Sequence, residues 1–306
     1  MSIGEMRLDS ARTAQVHKMK PKISVLTCTC RDLILKYQAA ALEAQTLKDI
    51  EWVIVDDIYD QRVDFVKKVD VSFPITHIPP QFIKDYYAGG VAANDGLIHC
   101  SGEYIYFMAD YVMPMIQTLQ RCYDIQTKYG GVMLSGRALK VTFPVTDLIP
   151  NYNKKIEGSD YRLYLFEKRF FDTKEVESDI LEIFRAGVQN WWAGRNDSAP
   201  LKAIIECNGF DEAMDGRWGG EDADLANRLM TYGLRFLFDK SSCVLEFKHK
   251  SGEKRVMRSE LKQQEFQFSV INKRVKQKIY RANEDWLIAL PRDLRKESEE
   301  WHKQLV

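Results

Sequence analysis

Three carboxylates, Glu221, Asp222 and Asp224, follow directly on Trp218, Gly219 and Gly220. A carboxylate so placed can take a proton from a hydroxyl as that hydroxyl attacks, which is the work of a general base. Glycines let backbone approach a ligand closely, and an indole offers an aromatic face suited to a sugar ring. Shortly before them runs a second polar stretch, Asn208-Gly-Phe-Asp-Glu212. Acids that merely complement a helix dipole would account for one or two of these carboxylates, but not for the Trp-Gly-Gly or the earlier stretch. Thr29, Asp57 and Asp110 form a dispersed third group, each just beyond an apolar run.

The elements that must position these residues can be read from periodicity. Ile23 to Thr27, Glu51 to Val55, Ile75 to Ile78 and Tyr104 to Met108 are short apolar runs of buried-strand character. Helical patterns lie between them over 32–47, over Val63 to Val69, and over 91–99 behind Gly89 and Gly90. Strands alternating with helices imply βαβ units and a mostly parallel sheet, with ligands at the carboxyl ends of the strands. Thr29, Asp57 and Asp110 then share one rim. Gly131 to Ser135 and Cys243 to Phe247 read as later strands, and 174–185 as a helix. A further helix begins at Glu221 with Leu225, Leu229 and Tyr232 as its buried stripe. The remainder of 141–200 carries no interpretable motif.

Lys and Arg total 44 and Asp and Glu 44, for zero net charge, which argues against a general nucleic-acid binder. With 45% hydrophobic residues the chain can bury a sizeable core. The six cysteines, Cys28, Cys30, Cys100, Cys122, Cys207 and Cys243, include no CxxC pair and read as reduced thiols rather than a zinc site or disulfide framework. The first 20 residues lack the apolar run of a signal peptide, and no stretch is long enough to span a bilayer. The expectation is a soluble, cytoplasmic protein, with peripheral membrane association as the alternative.

Asn208-Gly-Phe, Trp218-Gly-Gly-Glu-Asp-Ala-Asp-Leu225, Asn227-Arg-Leu229, Gly233 and the late His249 together resemble the nucleotide-sugar glycosyltransferases of the GT-A fold. The likeness is strongest to the inverting family 2, and to β-1,4-galactosyltransferases and chondroitin-polymerase-type enzymes in the later stretch. The resemblance covers roughly 21–250 and implies an α/β, Rossmann-like, mostly parallel sheet flanked by helices. An N-terminal arm (1–20) precedes this domain and a charged, mainly helical extension (251–306) follows it.

The same resemblance implies roles. Thr29 and Cys30 end the first strand, Asp57 follows the second, and Asn94 lies in Ala93-Asn-Asp-Gly-Leu97; with Asp110 they would bind the donor nucleotide, Asp57 at a uracil ring. Cys28 and Cys30 replace the usual Pro and Tyr, and Ala93 stands where Arg is common. The Asp-x-Asp of the family becomes Met108-Ala-Asp110, keeping its second acid. Asp110 and His249 would hold a divalent cation, Mn²⁺ by its mixed oxygen and imidazole ligands, with Mg²⁺ as the alternative. Asp222 would be the general base, and Trp218, Gly219, Gly220 and Glu221 would contact the sugar or acceptor. The implied reaction moves a sugar from a UDP-sugar to a hydroxyl of a glycan, glycolipid or glycoprotein, with inversion by direct displacement. A retaining transferase, a nucleotidyltransferase and an inactive carbohydrate- or nucleotide-binding module are the alternatives. The nucleotidyltransferase lacks its Gly-rich loop after the first strand.

His17, His77, His99 and His302 read as structural or solvent-exposed, and Trp191 and Trp192 as core or as a second aromatic surface. From Lys254 to Arg281 nine Lys or Arg face only Glu260 and Glu265. Phe266, Val270, Ile271, Val275 and Ile279 would form an apolar stripe beneath those cations. A helix packed on the catalytic domain is the favoured reading. Contact with an anionic membrane or self-association through 254–281 is the alternative.

Overall fold

The computed structural model describes residues 20–30, 35–81, 89–141, 158–160, 173–184, 192, 194–215, 220–247, 261–282 and 292–305. Its centre is a parallel unit of strands β1 (Ile23–Thr29), β2 (Ile50–Asp56), β3 (Ile75–Ile78) and β4 (Tyr104–Phe107), in the order β3-β2-β1-β4. β1 pairs in parallel with both β2 and β4. These strands are apolar on both faces, as a sheet covered on both sides requires. Val25, Trp52, Ile54 and Tyr106 face one hydrophobic cluster, while Leu26, Val53, Val55, Ile105 and Phe107 face another.

Helices α1 (Leu35–Glu43), α2 (Tyr59–Val66) and α4 (Thr118–Tyr129) cover the first face through Leu35, Leu42, Val66, Leu119 and Ile125. Helices α3 (Gly89–His99), α5 (Leu201–Glu206), α6 (Glu221–Tyr232) and α8 (Leu294–Lys303) cover the second through Leu97, Ile204, Leu225, Leu229 and Leu294. The approach of α3 to β1 is close enough that a β-carbon at Gly96 would fall 2.2 Å from Leu26 Cδ1. Any side chain at this position would force Leu26 to move.

Beyond β4 the sheet mixes directions. β10 (Asp197–Pro200) is antiparallel to β4 and to β6 (Met133–Val141), and β6 is parallel to β11 (Phe236–Phe247). β5 (Val112–Pro114) pairs with β11, and β7 (Gly158–Asp160) with β6. The carboxyl ends of β6 and β11 therefore share the rim occupied by the ends of β1, β2 and β4.

Several expected elements differ. The helix expected over 174–185 is a hairpin of β8 (Thr173–Glu177) and β9 (Ile180–Ile183). β9 hydrogen-bonds to the edge of β11 and buries Ile180 and Ile183, so pairing overrides local helix propensity. The helix expected from Val63 starts four residues earlier, at Tyr59. Leu225 and Leu229 are buried as expected, but Tyr232 is exposed in the last turn and packs edge-on against Tyr280.

Helix α7 (Leu261–Gln277) lies against α6 and buries Val270 and Ile271 with Met214 and Ala223, while Val275 is exposed. Arg274, one of the cations of the basic stretch, is not on a solvated face. Its Nη1 bonds Asp224 Oδ1 and its Nη2 bonds Asp211 Oδ2, both at 2.7 Å, and all three side chains are 1% exposed. Among the described residues no helix is long and apolar enough to cross a membrane.

Removing one member of a buried ion network leaves a charge without compensation and typically costs about 3–5 kcal/mol. Arg274→Ala should lower unfolding stability by about that amount in urea titration. A loss below about 1 kcal/mol would show that α7 is not fastened through this network.

Candidate active site

The rim is built from strand ends. Thr29 closes β1, and its Oγ1 donates to Asp110 Oδ2 at 3.0 Å just beyond β4. The Asp57 amide donates to the Thr29 carbonyl at 2.9 Å. Burial pushes the Cys28 thiol upward, and Asp57, Asp95, Asp110 and Cys30 add to the shift, so carboxylates gather around the end of β1. Cys30 and Asp57 are half-buried, whereas Asp110 is buried. Thr29, Asp57 and Asp110 are thus brought together as the alternation of strands and helices implied, and Cys30, a position singled out by the resemblance, lies next to Thr29.

Met108 takes another course. It continues the face of Tyr104 and Tyr106 and is buried in the hydrophobic cluster with Val112 and Leu119. Its side chain belongs to the core and not to the rim. Among the described residues no three His, Cys, Asp or Glu side chains cluster as metal ligands would. The register of β5 on β11 pairs Val112 with Glu246, and the Phe247 amide donates to the Tyr111 carbonyl at 2.9 Å. The end of β11 at Phe247 therefore lies beside Tyr111, the neighbour of Asp110 in sequence. His249, Trp218, Gly219, Trp191 and His17 lie outside the described residues.

Asp56, immediately before Asp57, is fully buried and engaged by Arg62 Nη1 at 3.4 Å, His77 Nε2 at 3.1 Å and the Ile58 amide at 3.0 Å. His77 also packs on the Tyr59 ring, with centroids 4.6 Å apart. The structural reading of His77 suits this geometry: it anchors the carboxylate at the end of β2. His99 packs on Trp301 and His302 bonds within α8. Trp192 is fully buried between Phe107 and Phe236 and is a core residue.

Asn94 stands apart from the rim group. Its Nδ2 donates to the Phe210 carbonyl and to Glu212 Oε1, and its Oδ1 accepts from the Phe210 amide at 2.8 Å. It is buried and joins α3 to the 208–212 turn, so its bonds position a wall of the site. That turn needs left-handed backbone at Asn208 (φ 62°) and Gly209 (φ 60°). Arg228 locks it, donating to the Cys207 and Gly209 carbonyls at 2.6 Å each.

The three acids of α6 have different surroundings. Asp224 is buried and ion-paired to Arg228 and Arg274. Asp222 is half-buried, and a β-carbon at Gly194 would stand 3.9 Å from its Oδ1. Glu221 is 6% exposed, and among the described residues its Oε2 has no hydrogen-bond partner. Burial pushes the Glu221 carboxyl up to about 8; Asp222 and Asp215 add to the shift, and its own backbone amide opposes them. Asp215 itself caps α3, accepting from the Gly90 and Val91 amides at 2.8 and 3.1 Å. Gly220, at φ 109°, makes the left-handed entry into α6.

The phenol of Tyr111 lies within electrostatic reach of both halves of the site. Burial pushes its pKa up and Arg195 opposes this, while Glu246, Asp110 and Asp222 raise it further. Asp110 and Asp222, from opposite ends of the chain's motifs, therefore act on one hydroxyl. Tyr111, Arg195 and Glu246 are not singled out by sequence reasoning. Tyr111 adjoins Asp110 in a run that was recognisable, but Arg195 lies in the stretch without a motif.

Comparison with known proteins agrees with this architecture. Residues 198–250 match the family model described as the N-terminal domain of galactosyltransferase. The fold is similar to residues 1–349 of S. aureus TarS in complex with UDP-GlcNAc, with TM-score 0.60 and 14% identity over 90% of this chain and 69% of that one. The TarS 1–349 complex with UDP gives TM-score 0.57 and 13% identity over 92% and 71%. TarS itself gives 0.55 and 14% over 90% and 41%. No curated protein matches the sequence. The chain has the GT-A fold of nucleotide-sugar glycosyltransferases.

An acid whose folded pKa lies near 8 rather than 4.5 keeps a proton that the unfolded chain has given up. Its contribution to stability is whole below about pH 4.5 and falls away as pH rises to about 8. Glu221→Gln is neutral throughout and removes that slope. Calorimetry across pH should show a melting temperature near the parent's at pH ~5 and clearly above it at pH ~9. Parallel pH dependences would contradict the assignment.

Proposed function

We propose that the protein transfers a sugar from a UDP-sugar to a hydroxyl of a glycan or glycoconjugate acceptor, with inversion, and that Asp222 is its general base. The observation that carries this reading is the gathering of Thr29, Asp57 and Asp110 at the carboxyl rim of a GT-A sheet, with the charges of both Asp110 and Asp222 felt at Tyr111. The UDP and UDP-GlcNAc complexes of the similar TarS structures support a uridine nucleotide as donor. The stretch matched to the galactosyltransferase model includes Glu221 and Asp222.

In this reading Thr29, Cys30 and Asp57 line the nucleoside end, and Asn94 acts through the turn it holds. Thr29 orients the Asp110 carboxylate by its hydrogen bond. Asp222, half-buried beside Gly194, accepts the acceptor's proton as its oxygen attacks the sugar's anomeric carbon. Glu221 in its neutral form is a hydrogen-bond donor to sugar or acceptor oxygens. Gly220 brings backbone close, and Trp218 and Gly219 keep the sugar- or acceptor-contacting role that the sequence resemblance implies.

Asp110, an oxygen ligand at the rim, suits a hard divalent cation, and His249 is the proposed second ligand, two residues past the Phe247 that bonds Tyr111. When bound, Mn²⁺ or Mg²⁺ neutralises charge on the diphosphate. Removal of one carboxylate at Met108 leaves a sparse donor set, which fits a cation held largely by the nucleotide itself.

Asp222→Asn keeps the shape of the side chain and removes its basicity. Sugar transfer should fall about 10²–10⁴-fold, with UDP affinity by calorimetry within about twofold of the parent. Near-parental turnover in this variant would sink the base assignment, and a product that retains the donor's anomeric configuration would sink inversion.

A further inference from the structure

The ends of α6 and α7 carry a patch that neither the core nor the site uses. The two helices pack through Ala223, Val270 and Ile271. Beyond that contact Tyr232, Val275 and Tyr280 are 38%, 48% and 40% exposed, half of the large apolar side chains exposed among the described residues. The Tyr232 and Tyr280 rings meet edge to face with centroids 5.4 Å apart. Tyr232 closes the 12-residue helix that Glu221 opens, which separates the patch from the catalytic acids by about 17 Å along the axis.

The same end of α7 carries the exposed cations Lys273, Lys276 and Lys278. Among the described residues no carboxylate pairs with Lys276 or Lys278. Lys278 ends the helix in left-handed backbone, φ 57°. Its amide donates to the Val275 carbonyl at 3.3 Å, and the Ile279 amide to the Arg274 carbonyl at 2.9 Å. Glycine is the usual occupant of that position, so a cation is kept there against backbone preference. The acid within reach of the patch is already engaged. Partial burial pushes the Tyr232 phenol up, with Glu206, Cys207 and Tyr280 adding to the shift. Arg295 Nη1 holds the Glu206 carboxylate at 3.3 Å. Arg281 donates to the Glu206 carbonyl at 3.1 Å and to Asp293 at 3.0 Å. The charge left open at the patch is positive.

Cations at a helix C-terminus complement its dipole, but the dipole neither calls for two exposed tyrosines nor prefers lysine to glycine at the left-handed position. A tyrosine is apolar along its ring and polar at its tip, and a lysine carries its charge on an apolar stem. Both suit a boundary between hydrocarbon and water. The centre of a protein interface is depleted of lysine, and a two-fold contact with a second copy would set these lysines against one another. We propose that the ends of α6 and α7 dock reversibly on an anionic lipid membrane. Tyr232, Val275 and Tyr280 enter the headgroup boundary, and Lys276 and Lys278 meet the headgroup charges.

Cosedimentation of the full chain with vesicles of phosphatidylcholine, alone or mixed with phosphatidylserine, tests it. The parent should bind the mixed vesicles and release them as salt is raised. Lys276→Gln combined with Lys278→Gln should weaken that binding about tenfold to a hundredfold, given the attraction each lysine adds near an anionic surface. Lys278→Gly removes one cation and relieves the left-handed backbone, so its smaller loss, about fivefold, cannot come from misfolding. Tyr232→Ser combined with Tyr280→Ser should also lower binding. Equal binding to both kinds of vesicle, or lysine variants that bind like the parent, overturns the proposal. So does a parent that binds neither vesicle but forms a dimer by light scattering that the tyrosine variant dissociates, which would assign the patch to a second copy.

Discussion

The site depends on a buried ionic network of two arginines and two aspartates. Arg228 and Arg274 meet on Asp224, and Arg274 also holds Asp211, with each of these side chains about 1% exposed. Four charges without water are tolerable only when each has its opposite in contact and its remaining donors satisfied. Arg228 meets that condition by donating to the carbonyls of Cys207 and Gly209. The network thereby fixes the start of α6, the left-handed turn at Asn208 and Gly209, and the docking of α7. Glu221 and Asp222 can occupy definite positions only because Asp224, in the same first turn, cannot move. A second clamp lies alongside. Arg292 joins Asp95 of α3, Glu212 and Glu297, so α8 is tied to the same wall.

Three neighbouring acids in one helical turn end up in three electrostatic states. Asp224 is neutralised by two guanidinium groups. Glu221, buried beside Asp222 and Asp215, favours its neutral form near physiological pH. Asp222 remains half-buried at the rim. Like charges so close cannot all persist in a partly dry site, so the fold distributes protons and counter-ions among them. A proton on Glu221 lowers the negative charge facing Asp222, and that favours the ionised form of Asp222. The zero net charge of the chain conceals this sorting, because Arg274 is drawn out of the basic C-terminal stretch to meet acids on α6 and the 211 turn.

The central strands, α3 and α6 were legible because their signals are local: continuous apolar runs, paired glycines, and acids at a helix start. Thr29, Asp57 and Asp110 followed from topology, since a parallel sheet places strand ends on one rim whatever the details of packing. The β8–β9 hairpin was not legible. Thr173 to Glu177 is mostly exposed, and what makes it a strand is β9, held in turn by β11 over fifty residues later. The separate fates of Glu221, Asp222 and Asp224 were equally hidden, because the partner that settles Asp224 is fifty residues away. Arg195 escaped for the same reason. Nothing near it in sequence announces a rim position, which arises when β10 inserts antiparallel between β4 and β6.

That insertion bears on the departure at Met108. In a parallel sheet the residues two apart along β4 share a face, so Met108 follows Tyr104 and Tyr106 into the core. A carboxylate there would have to turn away from that cluster, or be buried without a partner. The apolar side chain removes this conflict and strengthens packing against Val112 and Leu119. The consequence is electrostatic: the rim has one anion fewer. β10 runs antiparallel to β4, so its entry loop arrives at the same rim and delivers Arg195 there, steadied by the Tyr106 hydroxyl through Asn196. Strand β4 thus gives up a carboxylate at Met108 and, through Tyr106, secures the loop that carries a guanidinium. The apolar side chain at Met108 and the guanidinium on the neighbouring loop are two results of the same register.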